Sequence, residues 1–178
     1  MNPSAIWESM KDVPEDAKIA TFAGGCFWCM EPAFENIEGV YRVIPGYTGG
    51  EEERPDYTDV ASGKTGHREA VQVYYDPRET DYADLLEVFW SQIDATDAGG
   101  QFQDRGHQYS TAIFYHDEEQ RQKASESKEA LEQRSEEPVM TEILQAGEFY
   151  AAERYHQGFA KKHPLRYRMY RKGREAWK

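Results

Sequence analysis

Two cysteines, Cys26 and Cys29, are the residues of this chain best suited to chemistry. They are the only cysteines among 178 residues, and they stand three positions apart in the stretch Gly-Gly-Cys-Phe-Trp-Cys. The apolar run at 19–23 predicts a short buried strand, and Pro32 with the residues after it predicts a helix. Cys26 should therefore lie at a helix N-terminus, where free amides and the helix dipole would lower the pKa of its thiol.

The residues alone leave other interpretations of this pair open. Free cysteines often pack inertly in a core, so the pair could be structural. A structural zinc site usually needs four Cys or His ligands, and the five histidines show no paired ligand spacing, so we expect no metal. In a reducing compartment a close cysteine pair is more often redox-active than a permanent disulfide.

The composition predicts a single globular domain. A chain of 178 residues, 39% of them hydrophobic, can bury one sizeable core. The net charge of −12 argues against nucleic acid or an anionic membrane as partner. The N-terminus has no signal-peptide pattern, and no long apolar run suits a membrane span near the cysteines. We therefore expect a cytoplasmic monomer.

We assign residues 1–178 to one catalytic domain with two distinctive ends. An N-terminal arm, 1–17, is polar, and Trp7 within it should contact the body of the protein. A basic C-terminal tail, 162–178, follows the last predicted helix. Residues 161–178 carry eight Lys or Arg and one Glu, and we expect a solvated end for most of this length. Whether the tail closes over a site is open from the sequence.

Strand-like and helix-like apolar patterns interleave along the chain. Strands are predicted at 19–23, 40–44, 70–75, 109–115 and 139–144, and helices from the cysteine pair to 37 and at 81–93, 117–134 and 151–161. Glycine-rich stretches at 45–68 and 94–108 are predicted functional loops. The fold class is therefore mixed α/β (α+β): a two-layer sandwich of one mixed sheet with helices mainly on one face, whose first strand–helix–strand unit is parallel.

Four further residues near these loops could take part in acid–base chemistry. Tyr57 lies in the first loop, Glu69 precedes a predicted strand, and Asp104 and Tyr109 bracket the end of the second loop. Each alone is weak, because loop Asp residues mostly make turns and a Glu or Tyr at a strand edge is mostly at the surface.

Together, these motifs closely resemble the A class of peptide methionine sulfoxide reductases. The main ones are Gly-Cys-Phe-Trp-Cys at 25–29, Thr-Gly-His-x-Glu-Ala-Val at 65–71 and Gln-Tyr at 108–109. Supporting matches are Gly-Tyr-Thr-Gly-Gly at 46–50, Pro-x-Tyr at 55–57, Tyr-Asp-Pro at 75–77, Leu-Leu-x-x-Phe-Trp at 85–90 and Tyr-His-Gln at 155–157. The resemblance covers 19–157, and the first two motifs at this spacing are specific.

The chain also departs from the family pattern. Asp-Ala-Thr at 94–96 replaces the usual Asp-Pro-Thr, 102–106 differ from Gln-Gly-x-Asp-x-Gly, and Ser-Thr at 110–111 replaces Arg-Ser. These changes bear on loop contacts and substrate range, whereas the chemistry residues are all present. No cysteine follows Cys29, so the C-terminal resolving cysteines of many members are absent.

The resemblance implies a role for each candidate residue in reducing the S epimer of methionine sulfoxide. Cys26 matches the nucleophile, and Glu69 matches the acid that protonates the sulfoxide oxygen, which requires a pKa raised by burial. Tyr57 and Tyr109 match hydroxyls that hydrogen-bond the oxygen, and Asp104 supports them. The pocket for the S-methyl group is matched by Phe27 and Trp28. The implied substrates are oxidised proteins or methionine sulfoxide, repaired after oxidative stress.

We expect the Cys26 sulfenic acid formed by this reaction to be resolved by Cys29, with no bound cofactor. Residues three apart on a helix have Cβ atoms about 5–6 Å apart, and a disulfide needs about 3.5–4.5 Å, so the first helical turn should have to change. Thioredoxin or another small dithiol protein would then reduce the pair. Alternatives are resolution of Cys26 by an external thiol, a thioredoxin-like disulfide oxidoreductase, and a redox-sensing or peptide-binding module.

Overall fold

The sheet at the centre of the fold is mixed, as predicted. The computed structural model describes residues 10–177, so most of the predicted N-terminal arm, Trp7 included, lies outside the described residues. Within that range the main sheet contains β1 (Lys18–Gly24), β2 (Val40–Thr48), β3 (Arg68–Tyr75), β6 (Thr111–Tyr115), β7 (Glu142–Gln145) and β8 (Phe149–Ala151). A separate hairpin is formed by β4 (Gly100–Gln101) and β5 (Asp104–Arg105).

The strand order is β7-β6-β1-β3-β2-β8, and only the β6–β7 pair is parallel. Both β1 and β2 pair antiparallel with β3, which lies between them. The first strand–helix–strand unit therefore has parallel strands, as expected, but they are not neighbours. This order brings the ends of β1 and β3 together although the two strands are distant in sequence.

The helices lie mainly over one face of the sheet and pack on one another there. They are α1 (Phe27–Glu35), α2 (Tyr57–Ala61), α3 (Tyr82–Gln92), α4 (Glu118–Glu132), α5 (Phe159–Lys162) and α6 (Pro164–Glu175), with a 3₁₀ turn at His107–Tyr109. Helix α1 contacts β2, β3 and α3, and α3 contacts α4. Within the described chain, no helix is both long and apolar enough to cross a membrane.

Aromatic side chains fill the layer between sheet and helices. The ring of Phe22 in β1 stacks on Phe34 of α1 at 5.1 Å and on Phe89 of α3 at 5.2 Å. Val71 and Val73 of β3 belong to the same buried cluster. Because side chains of a strand alternate between faces, Glu69 shares the helix-covered face with these valines. The strand period thus directs this carboxyl toward α1.

Several element boundaries differ from the sequence prediction. Strand β2 extends through 45–48, where Gly46 pairs with Ala151 of β8 and lies so close to the Phe149 ring that a Cβ would be 2.4 Å from it. The first predicted loop contains α2, and the second contains the β4–β5 hairpin. The helix predicted at 151–161 is wrong over most of its length: β8 and turns come first, and α5 begins only at Phe159.

Most residues of the basic C-terminal tail are exposed, as expected, but the tail is helical and a few of its side chains face the body of the protein. Residues 164–175 form α6, in which Arg174 is 3% exposed and Tyr167, Tyr170 and Arg171 are half-buried. The residues of this helix that face inward are tyrosines and arginines, whereas apolar Leu165 and Met169 are exposed. In this helix the apolar residues lie on the exposed face, opposite to the usual pattern of a packed helix.

Candidate active site

Cys26 occupies the N-cap position of α1, as the sequence predicted. Its backbone is extended, with φ −56° and ψ 121°, and its side chain makes no capping hydrogen bond. Gly25 before it has φ +82°, and a Cβ there would lie 2.7 Å from the side chain of Gln101. Only glycine suits both the left-handed backbone and this close approach. The turn therefore sets Cys26 between the end of β1 and the start of α1.

Cys26 and Cys29 are free thiols, both buried, and they titrate as an interacting pair. Burial raises the pKa of Cys26 well above its usual value, and its side-chain hydrogen bond to Cys29 raises it further. That same bond, followed by Arg174 and Arg171, lowers the pKa of Cys29 to about 7 despite burial. Within the pair, negative charge is therefore favoured on Cys29 over Cys26.

This result corrects the prediction that the helix N-terminus lowers the pKa of Cys26. The first amide of the helix, that of Phe27, donates to a carboxylate oxygen of Glu69 instead of to sulfur. Cys26 lies at the N-cap, just before the helix, and the Cys29 amide donates to the Cys26 carbonyl at 3.1 Å. That the first helical turn must change before a disulfide can form stays a prediction.

Glu69 lies at the second residue of β3, 1% exposed, on the face toward α1. Its Oε2 accepts a hydrogen bond from the Phe27 amide, with 3.0 Å between nitrogen and oxygen. Phe27 directly follows Cys26 in the chain. Burial raises the pKa of Glu69 to about 8, with the Phe27 hydrogen bond opposing the shift. The carboxyl is thus neutral at pH 7, and because Oε2 acts as the acceptor, Oε1 is the oxygen that can carry the proton.

The two tyrosines and Asp104 come from separate elements that meet beside Cys26. Tyr57 begins α2, Tyr109 ends the 3₁₀ turn, and Asp104 begins β5. Burial raises the pKa of Tyr57 to about 12 and raises that of Tyr109, and the charges of Glu69, Cys26 and Asp104 contribute to both shifts. Both hydroxyls therefore stay protonated and can donate hydrogen bonds at any physiological pH.

Asp104 is half-buried and faces the C-terminal helix. Burial raises its pKa to about 6, while Arg174 opposes that shift. Its Oδ2 accepts a hydrogen bond from the hydroxyl of Tyr170. Gln101, its partner in the hairpin, is fully buried and hydrogen-bonds both the amide and the carbonyl of Asp94. The hairpin is held in place by that side chain.

Phe27 and Trp28 form the aromatic part of the site, at different depths. Phe27 is 1% exposed and packs on Tyr47 at 5.8 Å and on His156 at 5.1 Å, so it lies beneath the site. Trp28 is half-buried and stacks on Phe159 at 3.8 Å. Its indole N–H donates to Nδ1 of His156 at 3.0 Å, which fixes the ring orientation.

Glu153 is a site residue that the sequence reasoning missed. Its Oε2 accepts the Tyr47 hydroxyl at 2.9 Å, and its Oε1 accepts the Tyr57 amide at 3.0 Å. Nε2 of His156 lies 3.6 Å from Oε2 of Glu153, and burial lowers the pKa of that histidine to about 4, so it is neutral. Position 153 adjoins the Tyr-His-Gln motif at 155–157, which was the available signal.

The assembled groups suit transfer of an oxygen atom from a sulfoxide to a thiol. A buried cysteine pair supplies a nucleophile, and a neutral carboxyl supplies a proton. Two protonated phenols supply hydrogen bonds to the oxygen. Among the described residues, no three His, Cys, Asp or Glu side chains converge on a metal position.

Comparisons with known proteins show the family to which the chain belongs. Residues 18–178 match the family model for peptide methionine sulfoxide reductase. The chain is 55% identical over 161 residues to the peptide methionine sulfoxide reductase MsrA of Bacillus licheniformis, covering 89% of each protein. It is 53% identical to the Bacillus subtilis protein of the same name, covering 89% of this chain and 91% of that one.

Solved structures share the fold. Methionine sulfoxide reductase A of Corynebacterium diphtheriae is 31% identical with a TM-score of 0.79, covering 85% of this chain and 77% of that one. Mxr1 of Saccharomyces cerevisiae in reduced form is 29% identical with a TM-score of 0.81, covering 87% and 92%. Mxr1 in complex with Trx2 is 22% identical with a TM-score of 0.58, covering 84% and 91%, which is a likeness of fold alone. This chain belongs to the peptide methionine sulfoxide reductases, a family of oxidoreductases.

Proposed function

We propose that this enzyme reduces methionine-S-sulfoxide in oxidised proteins to methionine, with Cys26 as nucleophile and Glu69 as acid. The observation that carries the proposal is the burial of Glu69 against the Phe27 amide, one residue from Cys26. A thioredoxin-like disulfide oxidoreductase would not need a protonated carboxyl beside its thiol. Family membership and this carboxyl both favour the sulfoxide reductase over that alternative.

In the first step the sulfur of Cys26 attacks the sulfoxide sulfur while its own proton moves to the thiolate of Cys29. Glu69 donates a proton to the sulfoxide oxygen, which is otherwise a poor leaving group. The attack forms a bond between the two sulfurs; the protonated oxygen then moves from the substrate sulfur to the Cys26 sulfur as that bond breaks, which leaves Cys26 as a sulfenic acid and releases methionine. The hydroxyls of Tyr57 and Tyr109 stabilise the oxygen as its charge changes.

In the second step Cys29 attacks the sulfur of the Cys26 sulfenic acid. A sulfur–sulfur bond forms, the sulfur–oxygen bond breaks, and the hydroxyl leaves as water after taking the Cys29 proton. Cys29 is the sole protein thiol available, because the chain contains no other cysteine besides Cys26. A disulfide at the start of α1 is the product.

In the third step an external dithiol protein reduces the disulfide, and we propose a thioredoxin for this role. The Mxr1 protein, which shares the fold, has been solved in complex with Trx2. Cys26 is 5% exposed whereas Cys29 is fully buried, so Cys26 is the sulfur that an incoming thiolate can reach first. Attack there would release Cys29, whose lowered pKa makes it the better leaving group.

Selection between epimers follows from two recognition surfaces on opposite sides of the reacting sulfur. The apolar surface of Trp28 over Phe27 would receive the S-methyl group, and the tyrosine hydroxyls with Glu69 would receive the oxygen. Only one configuration at sulfur places the methyl group on the apolar surface and the oxygen at the hydroxyls while leaving the sulfur open to attack by Cys26.

The test is incubation with racemic methyl sulfoxide substrate and dithiothreitol, followed by chiral analysis. We expect consumption of the S epimer and a halt at half of the racemate. Consumption of both epimers, or binding without turnover, would contradict the proposal. After one turnover without reductant, mass spectrometry should show loss of two hydrogens on the Cys26–Cys29 peptide; a persisting sulfenic acid would reject resolution by Cys29.

A further inference from the structure

Glu31 is a buried carboxyl that the proposed reaction does not use. It lies on α1, two residues after Cys29, and is 3% exposed. Its Oε1 accepts a hydrogen bond from the Gly158 amide at 2.8 Å, whereas its Oε2, also buried, has no hydrogen-bond partner among the described residues. Burying a carboxyl with one oxygen unpaired costs free energy. The bond to Gly158 is therefore what a glutamate contributes here and an apolar residue could not.

The chain around Gly158 also holds the indole of Trp28, by two contacts. The indole N–H donates to Nδ1 of His156 at 3.0 Å. The indole also stacks on the ring of Phe159, with 3.8 Å between ring centres and 5° between ring planes, and Phe159 is 3% exposed. Gly158 lies between these two partners in the chain, with φ +64°, and directly precedes α5. The position of its backbone therefore determines where both partners meet Trp28.

Glu31 connects this segment to the helix that carries the indole. Glu31 and Trp28 are three residues apart on α1, so their side chains project from the same side of the helix. The neighbouring Gln157 attaches the segment to the sheet, since its amide donates to the Pro45 carbonyl of β2 at 2.9 Å. The segment is thus held to β2 by one side chain and to α1 by Glu31, on the side where Trp28 lies.

We infer that Glu31 is a positioning residue that determines how large an alkyl group the enzyme accepts on the sulfoxide sulfur. Its bond to Gly158 keeps the segment in place, and the segment keeps the indole of Trp28 in place. This inference rests on the proposed function, in which the indole forms part of the surface that receives the S-methyl group. An indole that could tilt away would leave room for a longer alkyl group. Glu31 thereby acts on selectivity and on KM, and not on the proton donated by Glu69.

The measurement compares two substrates that differ by one methylene on sulfur, the S epimers of N-acetylmethionine sulfoxide and N-acetylethionine sulfoxide, with dithiothreitol as reductant. A hydrophobic pocket distinguishes one methylene by about 10–200-fold, so wild type should prefer the methyl substrate in kcat/KM, and Glu31→Leu should lower that preference about fivefold or more. The KM of Glu31→Leu for the methyl substrate should rise. Its rate in a saturating single turnover should change less, because Cys26 and Glu69 keep their positions.

Glu31→Gln is the conservative variant. Its amide oxygen can still accept the Gly158 hydrogen bond, so it should keep the wild-type preference. Glu38→Gln, an exposed carboxyl just after α1, is the control and should match wild type. Phe159→Leu removes the ring behind Trp28 and should lower the preference as Glu31→Leu does. Where Glu31→Leu fails to fold, Glu31→Asp replaces it, since its shorter side chain withdraws the acceptor from Gly158.

Wild type that does not distinguish the two substrates, or a Glu31→Leu protein that keeps the wild-type preference, would overturn the inference. Equal losses for both substrates belong to the second outcome and would mean that the carboxyl supports only the fold. Loss of the preference in Glu31→Gln as complete as in Glu31→Leu would also overturn it, because the acceptor oxygen would then not be the cause.

The proposed function is judged separately. Wild-type protein that makes no methionine from the sulfoxide refutes that function whatever the variants do. Wild-type protein that makes methionine, with a Glu31→Leu protein that keeps the preference for the methyl substrate, refutes only the role of Glu31.

Discussion

The backbone amide of Phe27 donates a hydrogen bond to Oε2 of Glu69 at 3.0 Å. This bond joins the first residue of α1 to the second residue of β3, 42 positions apart. Because Phe27 follows Cys26 directly, the bond holds Glu69, the proposed acid, close to Cys26, the proposed nucleophile. It also orients the carboxyl so that Oε1 is the oxygen that can hold the proton, which is the arrangement that sulfoxide reduction needs.

Glu69 should make the folded protein less stable as the pH rises. Its folded pKa of about 8 is above the unfolded value of 4.5, so the folded state binds more protons between these values. The free energy of unfolding contributed by this group therefore falls across that window and is constant above it. Glu69→Gln removes this titration. The melting temperature of the variant minus that of wild type should therefore increase as the pH rises from 5 to 8.5.

The measurement is thermal unfolding of both proteins across this pH range. Glu87→Gln, an exposed carboxyl on α3, is the control and should leave the pH dependence unchanged. Parallel curves for wild type and Glu69→Gln would show that the carboxyl is not held neutral by the fold.

Tyr57 and Tyr109 should each contribute through their hydroxyl groups. Removing one oxyanion donor typically lowers kcat by about 10²–10³, and two neighbouring donors compensate for one another in part. We expect Tyr57→Phe and Tyr109→Phe each to lower kcat at least about tenfold, and the double variant to lower it further, with KM changing less. Since both hydroxyls remain protonated, neither variant should shift the alkaline limb of the pH profile.

Steady-state kinetics with dithiothreitol decide this point. Tyr115→Phe, which keeps the ring beneath Arg121 at the end of β6, is the control and should retain full activity. Full kcat in both Tyr57→Phe and Tyr109→Phe would remove the phenols from the mechanism.

Glu153 should act on catalysis through Tyr57. The two carboxylate oxygens accept hydrogen bonds from the Tyr57 amide and the Tyr47 hydroxyl. A glutamine side chain has one acceptor oxygen, so its NH₂ group would face one of these two donors. Hydrogen bonds to charged groups contribute about 1.5–3 kcal/mol, so Glu153→Gln should lower kcat/KM about tenfold or more and lower the melting temperature.

The exposed Glu148→Gln is the matched control for Glu153→Gln, because Glu148 contacts the site region only through its backbone carbonyl. A Glu153→Gln protein with a lower melting temperature but an unchanged kcat/KM would mean that Glu153 supports the fold and not the position of Tyr57.

Sequence reasoning placed Cys26 and the strands of the sheet well because both leave local signals. A glycine pair before Cys26 predicts a turn, and alternation at 70–75 predicts β3, although Glu69, placed before that strand, is its second residue. Arg174 leaves no such signal, and Glu153 only its nearness to the Tyr-His-Gln motif, because each is a charged residue in a polar stretch. Both are positioned by tertiary contacts, Glu153 with Tyr47 and Tyr57 and Arg174 with Phe102.

Which of the two cysteines more readily carries negative charge could also not be predicted from the local sequence. A helix N-terminus alone predicts a thiolate on Cys26, but the Phe27 amide bonds to Glu69 and the arginines of α6 favour charge on Cys29. Each of these partners is remote in sequence. The distribution of charge within a buried pair depends on what surrounds both members, and that is decided only when the chain has folded.

The most direct measurement of the central claim is methionine formation in a single turnover at pH 7 without reductant, comparing wild type with Glu69→Gln. General acid catalysis contributes about 10²–10⁴ in rate, so the variant should form methionine slower by at least about 10², while its thiols still react with iodoacetamide. Wild type should form one methionine per enzyme. Equal rates of methionine formation in the two proteins would contradict the account.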